Sequence, residues 1–564
     1  MNQSYAQWWY FVRILTLLLL GPVVAHAQAP AWQGLVTPTQ AYGENTAFVE
    51  GTAADANGNV YMVGTFRGTV KFGTVTLVGG GPTNAKLFVA KWSKSSNSFV
   101  WAQAIGGNSG INIYDVAVDG ANVFITGSFS QGNVQFGATT LTLTTPSGSA
   151  LYVAKLVDAG STASFTWAQQ SASSSTGSIS AGSIAVAGTN VYLAGSLRGT
   201  IDLGGEALST STPDDVSSGA DTDGFVAKFT DAGTTGSFVW AQQIRGVSTA
   251  VIGDVATGRN GLVYICGSFS GQASLGSLSL TSAGDYDGCV AKLTDNGASG
   301  SFTWAQRLGG PETDMARALA VSGSAVYVAG SAEQNAEFGS IRLSNQTGEQ
   351  MFAAKLTDED ATSSFTWVQE AYAECNDIAV KDNNVYLTGR TGYPGYFGTI
   401  YSPRSGDIYI AKLKDSGSTS EFTWLQTAQG GSLYAFNLAI SGADVYVSGV
   451  VSFLSLKFGT LPLITVPKSF IPLSYLAYLT DNTLLASKTA VRSEVSVYPN
   501  PAHGTVQIPG ANAATVLRLL DNLGRVVRQG SGTTLSILGV APGLYVLHAN
   551  TPGQLARTAR LVVE

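Results

Sequence analysis

The segment Asn59-Val60-Tyr61-Met62-Val63-Gly64 returns six more times along the chain, closing on Gly127, Gly195, Gly267, Gly330, Gly389 and Gly449. The steps between closing glycines are 63, 68, 72, 63, 59 and 60 residues, so a fixed unit carries loops of variable length. A short stretch with Ala at its middle precedes each copy, as in Asp115-Val116-Ala117-Val118 and Ile378-Ala379-Val380. That Ala recurs as Ala53, Ala117, Ala185, Ala256, Ala320, Ala379 and Ala439. Polar turns such as Asp119-Gly120-Ala121 and Lys381-Asp382-Asn383 join the two stretches, which predicts a hairpin of strands A and B.

Two further strands follow in every unit. Strand C reads Phe88-Val89-Ala90-Lys91 in the first copy and keeps its Lys through Lys412, whereas the seventh copy is Tyr475-Leu476-Ala477-Tyr478. Strand D carries Trp in six copies, from Phe99-Val100-Trp101 to Phe422-Thr423-Trp424. A Gly-rich excursion with Phe-Gly near its middle, as at Phe72-Gly73 and Phe397-Gly398, separates B from C.

Seven units of four short strands predict an all-β chain built as a seven-bladed β-propeller over residues 28–489, with a β-solenoid as the runner-up. Ala in strand A suits a crowded axis, and the aromatics of C and D suit the widening gaps between blades. The seventh unit lacks its own Trp strand. Trp32, 69 residues before Trp101, is expected to supply the missing strand beside Tyr475-Leu476-Ala477-Tyr478; the in-line rival is Leu484-Leu485-Ala486-Ser487.

Composition narrows the chemistry. Of 564 residues only 12% are charged while 67 are Gly, and the net charge is -7, which excludes coiled coils, charged disordered tails and a basic nucleic-acid footprint. The three histidines are His26, His503 and His548, so the repeat region has none. Ser-His-Asp triads, Cys-His pairs and His-rich zinc or iron sites are therefore excluded there. No catalytic residue, cofactor or metal is expected. Cys266 and Cys289 lie on neighbouring strands of one unit; they are expected to be buried small hydrophobes, with a bridge as the alternative.

Both ends of the chain read as export signals. Arg13, the run from Ile14 to Leu20 and the pattern Ala25-His26-Ala27 predict a signal peptide over residues 1–27, cleaved between Ala27 and Gln28. Gly21 and Pro22 end that run short of a membrane span, so the mature chain is expected to hold no transmembrane segment. Residues 490–564 carry six Arg against three acids, a net of +3 beside -11 for residues 28–489. Their short strands predict a small Ig-like β-sandwich.

Two resemblances follow from these motifs. The repeats resemble the bacterial β-propeller repeat family over about residues 32–487, which implies the fold and leaves the ligand open. The C-terminal module resembles the sorting domain of the type IX secretion system of Bacteroidota. The residues that carry this likeness are Tyr498-Pro499-Asn500-Pro501, the turn from Leu520 through Gly524 to Val527, and Gly543-Leu544-Tyr545-Val546-Leu547. It implies the type IX secretion machinery as partner and a product that is secreted or attached to the outer-membrane surface.

Function is expected on the face where the B–C and D–A connections open. Asp214, Asp215, Asp221 and Asp223 in the third unit, and Asp285 and Asp287 in the fourth, could act as paired carboxylates for glycoside hydrolysis or Ca²⁺; ordinary turn chemistry is the competing reading. The recurrent Lys of strand C and the Gln after each Trp read as repeat grammar, because a catalytic residue should be singular. The expected function is a non-enzymatic surface or secreted binding module for an extracellular glycan or protein. The alternatives are a carboxylate-dependent glycoside hydrolase or lyase and a structural surface component.

Overall fold

The computed structural model describes residues 28–40, 46–80, 85–107, 110–130, 132–145, 148–173, 177–211, 221–343, 348–430, 433–452, 455–465, 472–484, 493–494, 497–521, 525–551 and 557–564. The leader with Ala27, the residues Asp214, Asp215 and Gly524, and the stretch 485–487 lie outside them. Two compact units divide after Asp481.

In the first unit every repeat forms one antiparallel sheet in the order A, B, C, D. The fourth shows the pattern with Thr249–Thr257, Leu262–Ser270, Asp287–Asp295 and Gly300–Gly309. The seven A strands are Thr46–Ala54, Ile111–Asp119, Ser178–Ala187, Thr249–Thr257, Met315–Ser322, Ala373–Lys381 and Leu433–Ser441. Each packs against the next, and the last packs against the first, which closes a seven-bladed β-propeller. Its core lies between blades: Val63, Val89 and Trp101 of the first share one apolar cluster with Ile113, Ile125 and Tyr152 of the second.

Strand Trp32–Val36 runs antiparallel to Leu473–Thr480 and is the outer strand of the seventh blade. The closing strand expected around Trp32 is present, and its register sets Trp32 off the Trp place of the other blades. Trp32 faces Leu479, the place held by Phe99 opposite Trp92 in the first blade, and Gly34 faces Tyr478, the place held by Trp101 opposite Lys91. The reason is steric: a side chain at Gly34 would run into the ring of Tyr478.

The Phe-Gly excursions between strands B and C are partly ordered as strands. Each contains a hairpin. In five blades it pairs with strand D of the preceding blade, as Gln272–Leu275 of the fourth excursion lies beside Gly236–Gly246 of the third blade, and in the first and third it pairs with the short strand that follows D, Thr39–Gln40 or Ala172–Ser173. The recurrent Phe fills the space beneath. Phe136 packs edge-on against Phe165 at 5.4 Å, as Phe397 does against Phe422. Strand D would otherwise present a free edge, so the excursion is a strap between blades.

The second unit is a small β-sandwich. One sheet orders Ser493–Glu494, Arg557–Val563, Gly543–Asn550, Val516–Leu520 and Val526–Ser531, the other pairs Thr505–Gln507 with Thr534–Ser536, and Val506, Leu517, Leu519, Leu535 and Leu561 share one core. Among the described residues no helix is long and apolar enough to cross a membrane.

Candidate functional site

The landmarks of the four strands form one cross-strand row. Ala53 faces Tyr61, Tyr61 faces Lys91, and Lys91 faces Trp101. This row meets an aspartate at the end of the next blade's strand C. Asp158 accepts Lys91 Nζ at 2.5 Å, Tyr61 Oη at 2.6 Å and Trp101 Nε1 at 3.0 Å. The same arrangement joins Lys155 to Asp231, Lys228 to Asp295, Lys292 to Asp358, Lys355 to Asp415 and Lys412 to Asp481, all at 2.5–2.7 Å and nearly excluded from solvent. Burial alone would raise these carboxyls; the bonds from Lys, Tyr and Trp overcome it and hold Asp158, Asp295, Asp358 and Asp415 below the ordinary value. The recurrent Lys is therefore a blade-to-blade fastener, and the Gln after Trp is another: Gln306 Nε2 donates to Ser363 O and Gln369 Nε2 to Ser420 O.

The junction of the seventh blade with the first inverts this chemistry. Tyr478 stands at the Lys position, and Lys94 stands where the other blades place Asp. Lys94 Nζ bonds Asp444 at 2.6 Å and sits 5.5 Å over the Tyr478 ring. A blade-six partner offers Lys, not Tyr, at this contact, so the first blade matches only the seventh.

Against this repeating frame the singular positions stand out. Every A strand has a one-residue bulge just opposite the repeat glycine; the bulge residues are Glu50, Tyr114, Gly182, Gly253, Arg317, Asn376 and Phe436. The bulge explains the glycine, since a Cβ at Gly64, Gly195 or Gly449 would overlap the strand-A carbonyl of Phe48, Ser180 or Tyr434. The next residue in the frame is also shared out unevenly. Asp115, Asp254 and Asp377 tie alternate blades to their neighbours by accepting the backbone N–H of Ile184, Leu319 and Leu438. Burial pushes Asp115 up to about 7 and Asp254 to about 6 against those bonds.

Four bulge residues line two adjoining cavities at the end where strand A begins. The larger, of about 750 Å³, spans blades two to four and includes Tyr114, Arg198 and Tyr286 among the hydroxyls of Ser128, Ser178, Ser180, Ser196 and Ser248; among the described residues no Asp, Glu or Lys lines it. The smaller, of about 420 Å³, shares Thr249, Val251 and Tyr286 and adds Gly253, Arg317 and Asn376. In the seventh blade, Tyr434 and the bulge residue Phe436 stack with ring centroids 5.9 Å apart and planes 7° from parallel, and the Arg390 guanidinium lies 5.4 Å over Tyr434.

Of the carboxylates singled out by sequence, the four described ones, Asp221, Asp223, Asp285 and Asp287, do not line these cavities. Asp223 is buried and accepts Gly246 N, and Asp287 is buried against Arg307 at 2.6 Å, so the second Asp of each Asp-x-Asp-Gly is a structural anchor. Asp221 bonds Ser211, and Asp285 is exposed. Cys266, Cys289 and Cys375 are buried free thiols; Cys289 faces Gly267, the neighbour of Cys266, and no bridge forms. Sequence reasoning missed the Asp of strand C and the bulges. The first was signalled by Lys-x-x-Asp in five units; the second only by the otherwise unexplained glycine.

In the sandwich, the Tyr498-Pro499-Asn500-Pro501 segment is stapled to the terminal strand. Asn500 Oδ1 accepts Val562 N and its Nδ2 donates to Arg560 O, while Tyr498 exchanges backbone bonds with Gln507. Gly543 pairs with Val563. Residues 496–564 match the family of secretion system C-terminal sorting domains. This domain directs export. The protein is secreted or displayed at the cell surface, and the sorting domain engages the secretion machinery.

No curated protein matches the chain. Solved structures with a similar outline include a protein of unknown function from Dyadobacter fermentans, at 12% identity and TM-score 0.36 over 80% of this chain and 99% of that one. The Pan2 WD40 domain of Neurospora crassa is similar at 9% identity and TM-score 0.39, over 80% and 95%.

Proposed function

We infer that the protein is a non-enzymatic binding module of a Bacteroidota cell surface, exported by its leader and the type IX route, which holds an extracellular ligand on the face where strand A begins. The observation that carries this reading is the placement of the singular residues. The frame repeats seven times with little change, whereas the bulge position runs through Glu, Tyr, Gly, Gly, Arg, Asn and Phe and borders both cavities. Variation inside a fixed steric frame is what ligand selection needs, and a folding requirement would not produce it. The hydrolase alternative loses support because Asp223 and Asp287 serve the scaffold and no carboxylate is among the described wall residues of the larger cavity.

The test uses mature protein carrying Ser180→Cys, with the three native thiols buried, labelled with a bulky maleimide. Immobilised unlabelled protein is expected to capture material from the medium of its host, and the label is expected to stop capture. Equal capture by labelled and unlabelled protein would move the site off this face.

A further inference from the structure

We propose that the ligand is a saccharide chain, lodged in the hydroxyl-lined cavity of blades two to four and stacked on the Tyr434–Phe436 pair of blade seven. This rests on the binding-face reading and adds the chemistry of the ligand. The cavity wall speaks first. A serine hydroxyl both donates and accepts, so a wall of serines complements a ligand whose own groups do both, which is the definition of a polyol. A wall with no Asp, Glu or Lys among the described residues selects against a charged peptide, and its one cation, Arg198, already donates from Nε to Thr222 Oγ1 at 2.8 Å.

The aromatic pair speaks second and independently. Tyr434 and Phe436 are each 37% exposed although they are large and parallel. The Arg390 guanidinium over Tyr434 fixes the platform from one side. Flat exposed π faces attract the polarised C–H groups of a pyranose ring, much as they attract cations. The other highly exposed aromatics described in the ring, Tyr393, Tyr396 and Tyr401, all belong to the neighbouring excursion of blade six, so the most exposed aromatic rings gather in blades six and seven. A protein partner would instead be met by a desolvated apolar anchor pocket, which the serine wall does not offer.

The two features also share a level of the ring. Tyr434 stands two residues before its bulge, the rung occupied by Asn112, Ser180 and Val251 in the cavity wall. A chain crossing the mouth of the ring would meet hydroxyls on one side and aromatic faces on the other.

The experiment is native affinity electrophoresis of mature protein through gels containing laminarin, xylan, dextran, starch or polygalacturonate. Retardation by at least one polysaccharide is expected. Tyr434→Ala and Phe436→Ala should each weaken it about three- to tenfold, and Ser180→Trp should abolish it, with melting temperatures unchanged. No retardation in any of the five gels, or retardation indifferent to all three substitutions, overturns the proposal. If the maleimide label blocks capture from medium while every gel is silent, the binding face stands and the saccharide falls; if labelling changes nothing and every gel is silent, both fall.

Discussion

Replacing Asp295 by Asn tests whether the Lys–Asp fasteners hold the ring together. Asp295 takes Lys228 at 2.6 Å, Tyr192 Oη at 2.7 Å, Trp240 Nε1 at 3.0 Å and Gly297 N at 2.9 Å, and the Lys228 and Asp295 side chains are 7% and 4% exposed. Removing the negative charge leaves an ammonium buried against a neutral amide, a loss of about 3–5 kcal/mol for a broken buried pair. A ring of some 450 residues melting as one unit has an unfolding entropy of about 1 kcal/mol/K, so the midpoint should fall by about 3–5 °C. The assay is scanning calorimetry at pH 7 on Asp295→Asn, Lys228→Met and the double variant. The double variant should cost less than the two singles together, by about 1–3 kcal/mol, because the second substitution removes the charge the first left stranded. Strict additivity, or single variants that melt like wild type, would refute the fastener.

Stability should depend on pH from both sides. Asp115 and Asp254 titrate near 7 and 6 in the fold against about 4 unfolded, so the native state binds more protons between these values and the midpoint should fall from pH 5 to pH 8, less so in Asp254→Asn. Asp158, Asp295, Asp358 and Asp415 are held low, so their contribution is complete above about pH 4 and disappears as the pH drops through their folded values; calorimetry across pH 2–8 reads both limbs. Deleting residues 28–40 removes Trp32, whose indole donates to Thr427 O at 3.1 Å and packs 4.7 Å from Phe458, and should lower the midpoint by about 5 °C or more; a truncation that melts like wild type assigns closure elsewhere. Elemental analysis of mature protein is expected to find no stoichiometric zinc, iron or copper, and one such metal per chain would contradict the sequence-based exclusion.

Strand order, blade count and the closing strand were legible because burial between blades forces the same residue types to recur at the same places. Ala, Tyr, Lys and Trp could be seen as four separate recurrences, but not as one row, because rows exist only across strands whose register is set by the hairpins. The seam was half legible. Lys runs through units one to six and the strand-C Asp through units two to seven, an offset by one blade that marks the only junction lacking both. The slip of Trp32 to the Phe place was hidden, since it depends on the Tyr478 ring occupying the space beside Gly34. The strap role of the Phe-Gly excursions was hidden for a related reason: their partner strand belongs to the previous repeat, and a pattern read within one unit cannot show a bond between two. The bulge residues themselves escaped because they are variable, and a search for recurrence passes over what does not recur.

The C-terminal sandwich directs this ring out of the cell. Fractionation of the native host expressing the chain with and without residues 490–564 tests that most directly. The truncated protein is expected in the periplasm, folded and melting as the intact propeller does, while the full chain reaches the surface or the medium. Equal amounts of both proteins outside the cell would contradict it.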